Sequence, residues 1–209
     1  AIFFVSDHGE MLGERGMWFK QCFWEWSAHV PMIAKIPGAP KGLRSSVITS
    51  LVDLLPTILE IGNNEKPASF SDDFSGKSLL KFAYNKGETK NSFAISDYYH
   101  IGPCVPTRMI RQDDLKLIYT HGHPSLLYDL KNDPYEKNNL AMDPEYFQIK
   151  KELRIQLKSW MLQQGDLGIE TEMKAVTRQH RNGKWLSYEE KIKSIKSRIR
   201  KNCSPKHVP

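Results

Sequence analysis

The chain has 209 residues, 40% hydrophobic and 11% aromatic, which is enough for one compact domain or slightly more. It has no apolar run as long as the ~18 residues of a membrane span, so no transmembrane helix is predicted. The net charge of +6 is uneven, because residues 174–209 hold eleven Lys or Arg against two Glu. Three scattered cysteines, at positions 22, 104 and 203, argue against a disulfide framework or a cysteine-rich zinc site.

The first half of the chain has the pattern of an α/β layer. Residues 1–5 are an unbroken apolar run ending at Ser6-Asp7, which predicts a strand buried on both faces of a parallel sheet. A second short strand is predicted in residues 30–38, closed by Pro and Gly. Residues 45–63 predict a helix, since Leu and Ile recur at helical spacing and Gly62 can end it.

The second half predicts a small antiparallel sheet and terminal helices. Residues 92–99, 107–121 and 125–130 read as successive strands, with a hairpin turn at Asp113-Asp114. An amphipathic helix around Leu153 and Leu157 is expected to end at Gly165. A last basic helix is predicted within residues 187–201. We therefore expect three parts: the end of an α/β core over 1–90, an antiparallel subdomain over 91–168, and a basic tail over 169–209.

Polar residues follow the first predicted strand closely. Ligands of α/β sheets bind beyond the carboxyl ends of the strands, where Asp7 and His8 stand. A carboxylate oxygen and an imidazole nitrogen can both bind one metal ion. Glu10, Glu14 and Arg15 are candidates to hydrogen-bond around those ligands, a role that commonly orients them. Lys20 is a compact cation suited to an anionic oxygen.

The order of these residues, D-H-G-x-x-L-G-x-R-x-x-x-x-K from Asp7 to Lys20, resembles the second metal-binding segment of the sulfatases. Sulfatases are a branch of the alkaline-phosphatase-like superfamily. The resemblance continues through "SAHVPMIAKIPG", "SLVDLLPTILEIGN", "RQDDLKLIYTH" and "LLYDLKNDPYEKNNLA", and so covers roughly Ile2 to Gly168. It implies the C-terminal part of an alkaline-phosphatase-like mixed sheet, followed by the small antiparallel sheet.

The resemblance also implies an activity, the metal-assisted hydrolysis of a sulfate ester. Asp7 and His8 would bind a divalent cation, usually Ca²⁺ with Mg²⁺ or Mn²⁺ as alternatives, and Lys20 would contact the ester. The nucleophile of the family is a formylglycine made in a C/S-x-P-x-R motif. Cys104-Val-Pro-Thr-Arg108 fits that pattern literally, but it lies downstream of Asp7-His8, whereas the family's motif lies far upstream. We therefore expect the nucleophile upstream of Ala1, and residues 1–209 alone to be inactive.

The substrate prediction rests on a closer likeness to the choline-sulfatase branch. "GEMLGERGMWFK" and "GPCVPTRMIRQDDLKLIY" are similar to stretches of that branch, although the tail looks more like arylsulfatases. Asp97 would hold the trimethylammonium group of choline O-sulfate, with Tyr98 and Tyr99 available for cation–π contacts. The alternative is that Asp97 is a strand-end polar residue and both tyrosines are sheet surface. His29 stands where the family usually has Arg and is interpreted as a packing or salt-bridge residue.

Other activities remain open at this stage. An aryl or carbohydrate sulfate is the second choice of substrate, and a phosphonate monoester or phosphodiester hydrolase of the same superfamily is a close rival. A non-enzymatic alternative is an anion-binding module that uses the basic tail, although we expect no nucleic acid and explain the tail more simply as a homo-oligomer contact. The compartment would be cytoplasmic for a choline sulfatase and periplasmic or secreted for an arylsulfatase.

Overall fold

The computed structural model describes residues 1–63, 75–84, 92–99 and 106–168, together with residues 170, 171, 190 and 193. Cys104, Cys203 and most of the predicted basic helix lie outside these residues. Within the described part of the chain, no helix has both the length and the apolar character that crossing a membrane requires.

Short helices and strands alternate before residue 93, and strands dominate from there to the last long helix. In chain order the elements are β1 (Ile2–Val5), α1 (Glu25–Ala28), β2 (Met32–Lys35), α2 (Leu54–Gly62), α3 (Leu80–Ala83), β3 (Phe93–Tyr98), β4 (Thr107–Gln112), β5 (Leu115–Thr120), β6 (Leu126–Asp129) and α4 (Phe147–Gln163). The predicted fold class is confirmed: a mixed α/β chain with a four-stranded antiparallel sheet and a terminal helix.

The first strand forms where the sequence predicts it, but its surroundings differ from the prediction. β1 pairs antiparallel with β2, from Ile2 opposite Lys35 to Val5 opposite Met32. Ile2 and Phe4 are 65% and 63% exposed, so the expectation of a strand buried on both faces of a parallel sheet is wrong for the described residues. The reason is that the described sheet has only these two strands.

The predicted helix of residues 45–63 begins later than its pattern does. Ser50 and Asp53 form a capping box, in which the Ser50 side chain accepts from a backbone N–H and Asp53 accepts from the Ser50 N–H at 2.8 Å. α2 then ends at Gly62, as predicted. It buries Pro56 and Thr57, whereas Leu55 keeps half of its surface exposed.

The larger sheet has the strand order β3-β4-β5-β6, so strands adjacent in sequence are also neighbours in space. The hairpin between β4 and β5 turns at Asp113-Asp114 as predicted, with Asp113 in the left-handed region at φ 51°. Asp tolerates this conformation better than most residues. The predicted amphipathic helix is also confirmed, because α4 buries Leu153 and Leu157, and Gly165 follows it at φ 65°.

The chain divides into two compact units. Unit 1 consists of Ala1–Ile95, Ile110–Lys116 and Asp129–Lys137, and unit 2 of Ser96–Met109, Leu117–Tyr128 and Asn138–Pro209. The three-part division of the sequence stays a prediction.

Candidate active site

Asp7 and His8 lie directly beyond the end of β1, in unit 1. The His8 backbone N–H donates to Oδ1 of Asp7 at 3.0 Å, and the Ser6 hydroxyl donates to the His8 carbonyl at 2.7 Å. These bonds form a tight polar turn that presents both side chains. The Asp7 side chain is 84% exposed and the His8 side chain 30%. The turn therefore places a carboxylate and an imidazole where a ligand can reach them.

The hydrogen bonds of the His8 ring assign its tautomer. Nδ1 lies 2.8 Å from the Gly9 carbonyl oxygen, which can only accept, so Nδ1 carries the proton and donates. Nε2 then has a free lone pair and accepts from the Lys20 ammonium at 2.5 Å. Oε1 of Glu10 lies 3.7 Å from Nδ1, near the ring but beyond hydrogen-bond distance. Lys20, although 12 residues away in sequence, thus meets the Asp7-His8 turn.

The separation of the two candidate ligands suits one cation, provided that the Lys20 ammonium, which lies 2.5 Å from Nε2 of His8, moves aside. Oδ2 of Asp7 and Nε2 of His8 are 3.3 Å apart. Two ligands at right angles around Ca²⁺, each about 2.4 Å from it, would be separated by about 3.4 Å. The described residues hold no group of three or more His, Cys, Asp or Glu side chains arranged for a metal ion, so Asp7 and His8 would supply only part of a coordination shell.

A short helix supports both halves of this site. The Gly9 backbone N–H donates to the Ser27 carbonyl at 2.8 Å, and the Ser27 hydroxyl donates to the Lys20 carbonyl. A Cβ at position 9 would lie 2.0 Å from the Trp26 carbonyl oxygen, so only glycine allows this approach to α1. Ser27 is 3% exposed. α1 therefore holds the turn and the lysine from behind.

A buried cluster of charges anchors α1, and sequence reasoning missed most of it. Lys116 has no exposed surface, and its ammonium lies 2.7 Å from Oε1 of Glu25. It is also 2.6 Å from Oε1 of Glu136, as a close charge contact rather than an aligned hydrogen bond. Oε2 of Glu136 accepts from the Glu25 backbone N–H at 2.7 Å. Arg111 adds a second cation, 3.0 Å from Oε2 of Glu25.

The environment of Glu25 favours its charged form. Burial acts to raise the pKa of the Glu25 carboxyl, but a hydrogen bond from His29 and the positive charges of Lys116 and Arg111 outweigh it and lower the pKa to about 2. His29 Nδ1 lies 3.0 Å from Oε2 of Glu25, so His29 has a structural role, as predicted, as a hydrogen-bond partner of Glu25.

Arg15 has a different role from the one predicted. Its guanidinium donates to the carbonyls of Tyr135, at 3.0 Å, and Glu136, and it stacks 3.8 Å from the centroid of the Trp24 ring. It does not reach the Asp7-His8 turn as a hydrogen-bond partner, because these carbonyls and this ring take up its side chain. Arg15 thus joins its own loop to the segment that carries Glu136. Gly13, two residues before Arg15, turns this loop with a φ of 97°.

The family profile described as "N-sulphoglucosamine sulphohydrolase, C-terminal" matches residues 13–163, which is most of the chain. The chain belongs to the sulfatase family. It is 37% identical over 145 residues to the choline-sulfatase of Rhizobium meliloti (strain 1021), which covers 68% of this chain and 27% of that protein. It is 34% identical over 151 residues to human arylsulfatase K, covering 68% of this chain and 27% of the relative.

A solved structure extends the likeness to another enzyme class. The phosphonate monoester hydrolase of Agrobacterium radiobacter shares 29% identity and a TM-score of 0.62, over 80% of this chain and 35% of that one. The sulfatase chain thus spans about a quarter to a third of the relatives that it matches.

In this sulfatase chain, Arg108 is the last residue of the literal match to the nucleophile motif, and it forms a structural ion pair. Cys104 lies outside the described residues. Arg108 is fully buried and donates to both carboxylate oxygens of Asp166, at 2.8 and 2.6 Å. Such a bidentate pair fixes the guanidinium in place. The expectation that the motif at Cys104 is not the modification site is consistent with this structural use of Arg108.

Asp97 and Tyr99, two of the three predicted choline-binding residues, lie in unit 2, where Tyr99 contacts Arg108. Asp97 is exposed on β3. The Arg108 guanidinium lies 4.7 Å from the centroid of the Tyr99 ring, so a cation of the protein itself already uses this ring. Burial raises the pKa of the Tyr99 hydroxyl, and hydrogen bonds to Asp166 and Asp97 raise it further. Arg108 thus already contacts the Tyr99 ring, and the choline-binding role of Asp97, Tyr98 and Tyr99 stays a prediction.

Proposed function

We propose that this chain supplies the C-terminal part of a sulfatase active site, in which Asp7 and His8 bind a divalent cation and Lys20 binds the sulfate ester. The observation that carries the proposal is the convergence of these three side chains. The Lys20 ammonium lies 2.5 Å from Nε2 of His8, which is 3.3 Å from Oδ2 of Asp7. Family membership supports the same reaction class.

The residues of this site match the needs of sulfate ester hydrolysis. A bound divalent cation, Ca²⁺ by preference or else Mg²⁺ or Mn²⁺, would act as a Lewis acid on a sulfate oxygen. Asp7 contributes a hard anionic oxygen, and the tautomer of His8 leaves the Nε2 lone pair for a ligand. The Lys20 ammonium can donate three hydrogen bonds and cannot accept any. It can therefore turn from His8 to a sulfate oxygen and stabilise negative charge there. The nucleophile, a formylglycine, would come from a segment upstream of Ala1.

Choline O-sulfate is the proposed substrate. The similarity to a choline-sulfatase supports it, and so does the exposed carboxylate of Asp97, since choline carries a fixed positive charge. Aryl and carbohydrate sulfates are the alternative, supported by the similarity to arylsulfatase K. A phosphonate monoester is the third candidate, and the likeness to a phosphonate monoester hydrolase supports it.

A comparison of three substrates tests the proposal. The full-length protein that carries this chain would be assayed on choline O-sulfate, 4-nitrophenyl sulfate and a phenylphosphonate monoester, each with Ca²⁺, Mg²⁺ or Mn²⁺. We expect kcat/KM to be highest for choline O-sulfate. Faster turnover of the aryl sulfate would retain the sulfatase and reject the choline assignment. Faster turnover of the phosphonate ester would reject the sulfatase activity itself.

A further inference from the structure

Ser27, which is not one of the candidate site residues, contacts both segments of the candidate site. The backbone of Ser27 accepts from the Gly9 N–H at 2.8 Å, directly after His8. The side chain of Ser27 donates to the carbonyl of Lys20. The same carbonyl accepts from the Cys22 N–H at 2.7 Å, which closes a tight turn after the lysine. Ser27 is thus a common support for two segments whose side chains must meet.

The contact at Gly9 leaves little room for adjustment. Any side chain at this position would collide with the Trp26 carbonyl oxygen, 2.0 Å from the place of a Cβ. The turn therefore lies directly on the backbone of α1. Because Ser27 is 3% exposed, water has little access to replace its hydroxyl as the donor to Lys20.

The helix that carries Ser27 has a fixed base. Its first residue, Glu25, is bonded through both its backbone N–H and its carboxylate, to Glu136 and to Lys116 and Arg111. Such a network of buried charges resists displacement, because breaking one pair leaves an uncompensated charge. Ser27 therefore acts from a rigid platform rather than from a mobile loop.

We propose that Ser27 is a positioning residue, which sets the distance between the Lys20 ammonium and the Asp7-His8 pair. The proposal rests on the proposed function, in which these side chains contact the same sulfate group. The Ser27 hydroxyl fixes the Lys20 backbone, while the Ser27 carbonyl fixes the turn that carries His8. Misplacement of a reacting group by about 1 Å can cost about a hundredfold in rate. The loss of this hydroxyl should therefore slow turnover without removing any group that touches the substrate.

The test compares substitutions in the full-length enzyme. Ser27→Ala removes the hydroxyl and keeps the carbonyl, and we expect kcat to fall about ten- to a hundredfold while the enzyme stays folded at the assay temperature. Ser27→Thr retains the hydroxyl and should recover most of the rate. Ser78→Ala is the matched control, because the Ser78 hydroxyl also bonds a backbone group in unit 1, accepting from Leu80 N–H at 3.3 Å. Its rate should stay within about twofold of wild type.

A double-mutant cycle separates positioning from general destabilisation. If Ser27 acts through Lys20, Ser27→Ala should cost less than about twofold in kcat once Lys20 has been replaced by Ala. The same ten- to hundredfold loss in both backgrounds would overturn the proposal, since a merely structural residue acts regardless of Lys20.

Hydrogen exchange gives a readout that needs no activity. Ser27→Ala should speed exchange of the Cys22 amide at least about tenfold and leave that of the Gly9 amide unchanged, because the Ser27 carbonyl remains. Unchanged exchange at Cys22 would refute the positioning role even if no substrate were turned over. Absence of sulfate ester hydrolysis in the wild-type protein would instead refute the proposed function, and the exchange result would still decide the role of Ser27.

Discussion

Oε1 of Glu25 lies 2.7 Å from Nζ of Lys116, a lysine whose side chain has no exposed surface. The two residues are 91 positions apart in sequence, so this contact joins the start of α1 to β5. A lysine is rarely buried unless it is paired, and here two carboxylates meet it. The pair therefore belongs to the framework that holds the candidate site.

The pH dependence of stability should reveal this pair. The pKa of Glu25 is lowered in the folded protein to about 2, from 4.5. The stabilisation is therefore complete above pH 4.5 and is lost as the pH falls through 2. A shift of this size corresponds to at most about 3 kcal/mol of unfolding free energy.

Urea unfolding of wild type and Glu25→Gln between pH 6 and pH 2 measures the effect. The difference in unfolding free energy should be largest at pH 6 and shrink towards zero near pH 2. Glu14→Gln, which removes an exposed carboxylate, is the control and should change stability little at any pH. A gap between wild type and Glu25→Gln that is the same at every pH would contradict the ion-pair account.

The isolated chain should be inactive. The chain spans about a quarter to a third of its matched relatives, and the nucleophile proposed for this sulfatase lies outside it. We expect no hydrolysis of choline O-sulfate or 4-nitrophenyl sulfate by this chain alone, with or without added Ca²⁺. Turnover well above background in that assay would show that the nucleophile lies within these residues.

The substrate assignment can be tested at Asp97. A carboxylate facing a quaternary ammonium is expected to matter only for a cationic substrate. Asp97→Asn in the full-length enzyme should lower kcat/KM for choline O-sulfate about fivefold, corresponding to the roughly 1 kcal/mol of an exposed ion pair. It should lower kcat/KM for a neutral aryl sulfate by about twofold or less. Equal losses on both substrates would give Asp97 a structural role, as a partner of Tyr99.

Local patterns predicted those parts of the fold that depend on near neighbours. The β4–β5 hairpin follows from two alternating runs around Asp113-Asp114, and α4 follows from the spacing of Leu153 and Leu157. The convergence of Asp7, His8 and Lys20 was also predictable, because all three lie within one short motif.

Contacts between distant segments could not be predicted in the same way. The pair of Glu25 and Glu136 spans 111 positions, and nothing near Glu25 in sequence marks its partners. The one available signal was Lys116, a charged residue next to the apolar positions of β5. The antiparallel pairing and exposure of β1 were missed for a related reason: an apolar run predicts a strand but not which residues cover it. The Arg108–Asp166 pair likewise forms only once β4 and the segment after α4 have folded.

The central claim is that Asp7 and His8 bind the catalytic cation of a sulfatase. The most direct measurement is metal content together with sulfate ester turnover in the full-length enzyme, for wild type, Asp7→Ala, His8→Ala and His8→Asn. We predict that both alanine variants lose bound metal and several orders of magnitude in kcat/KM, while His8→Asn, which supplies an oxygen ligand, retains part of both. Unchanged metal content and rate in Asp7→Ala would contradict the account.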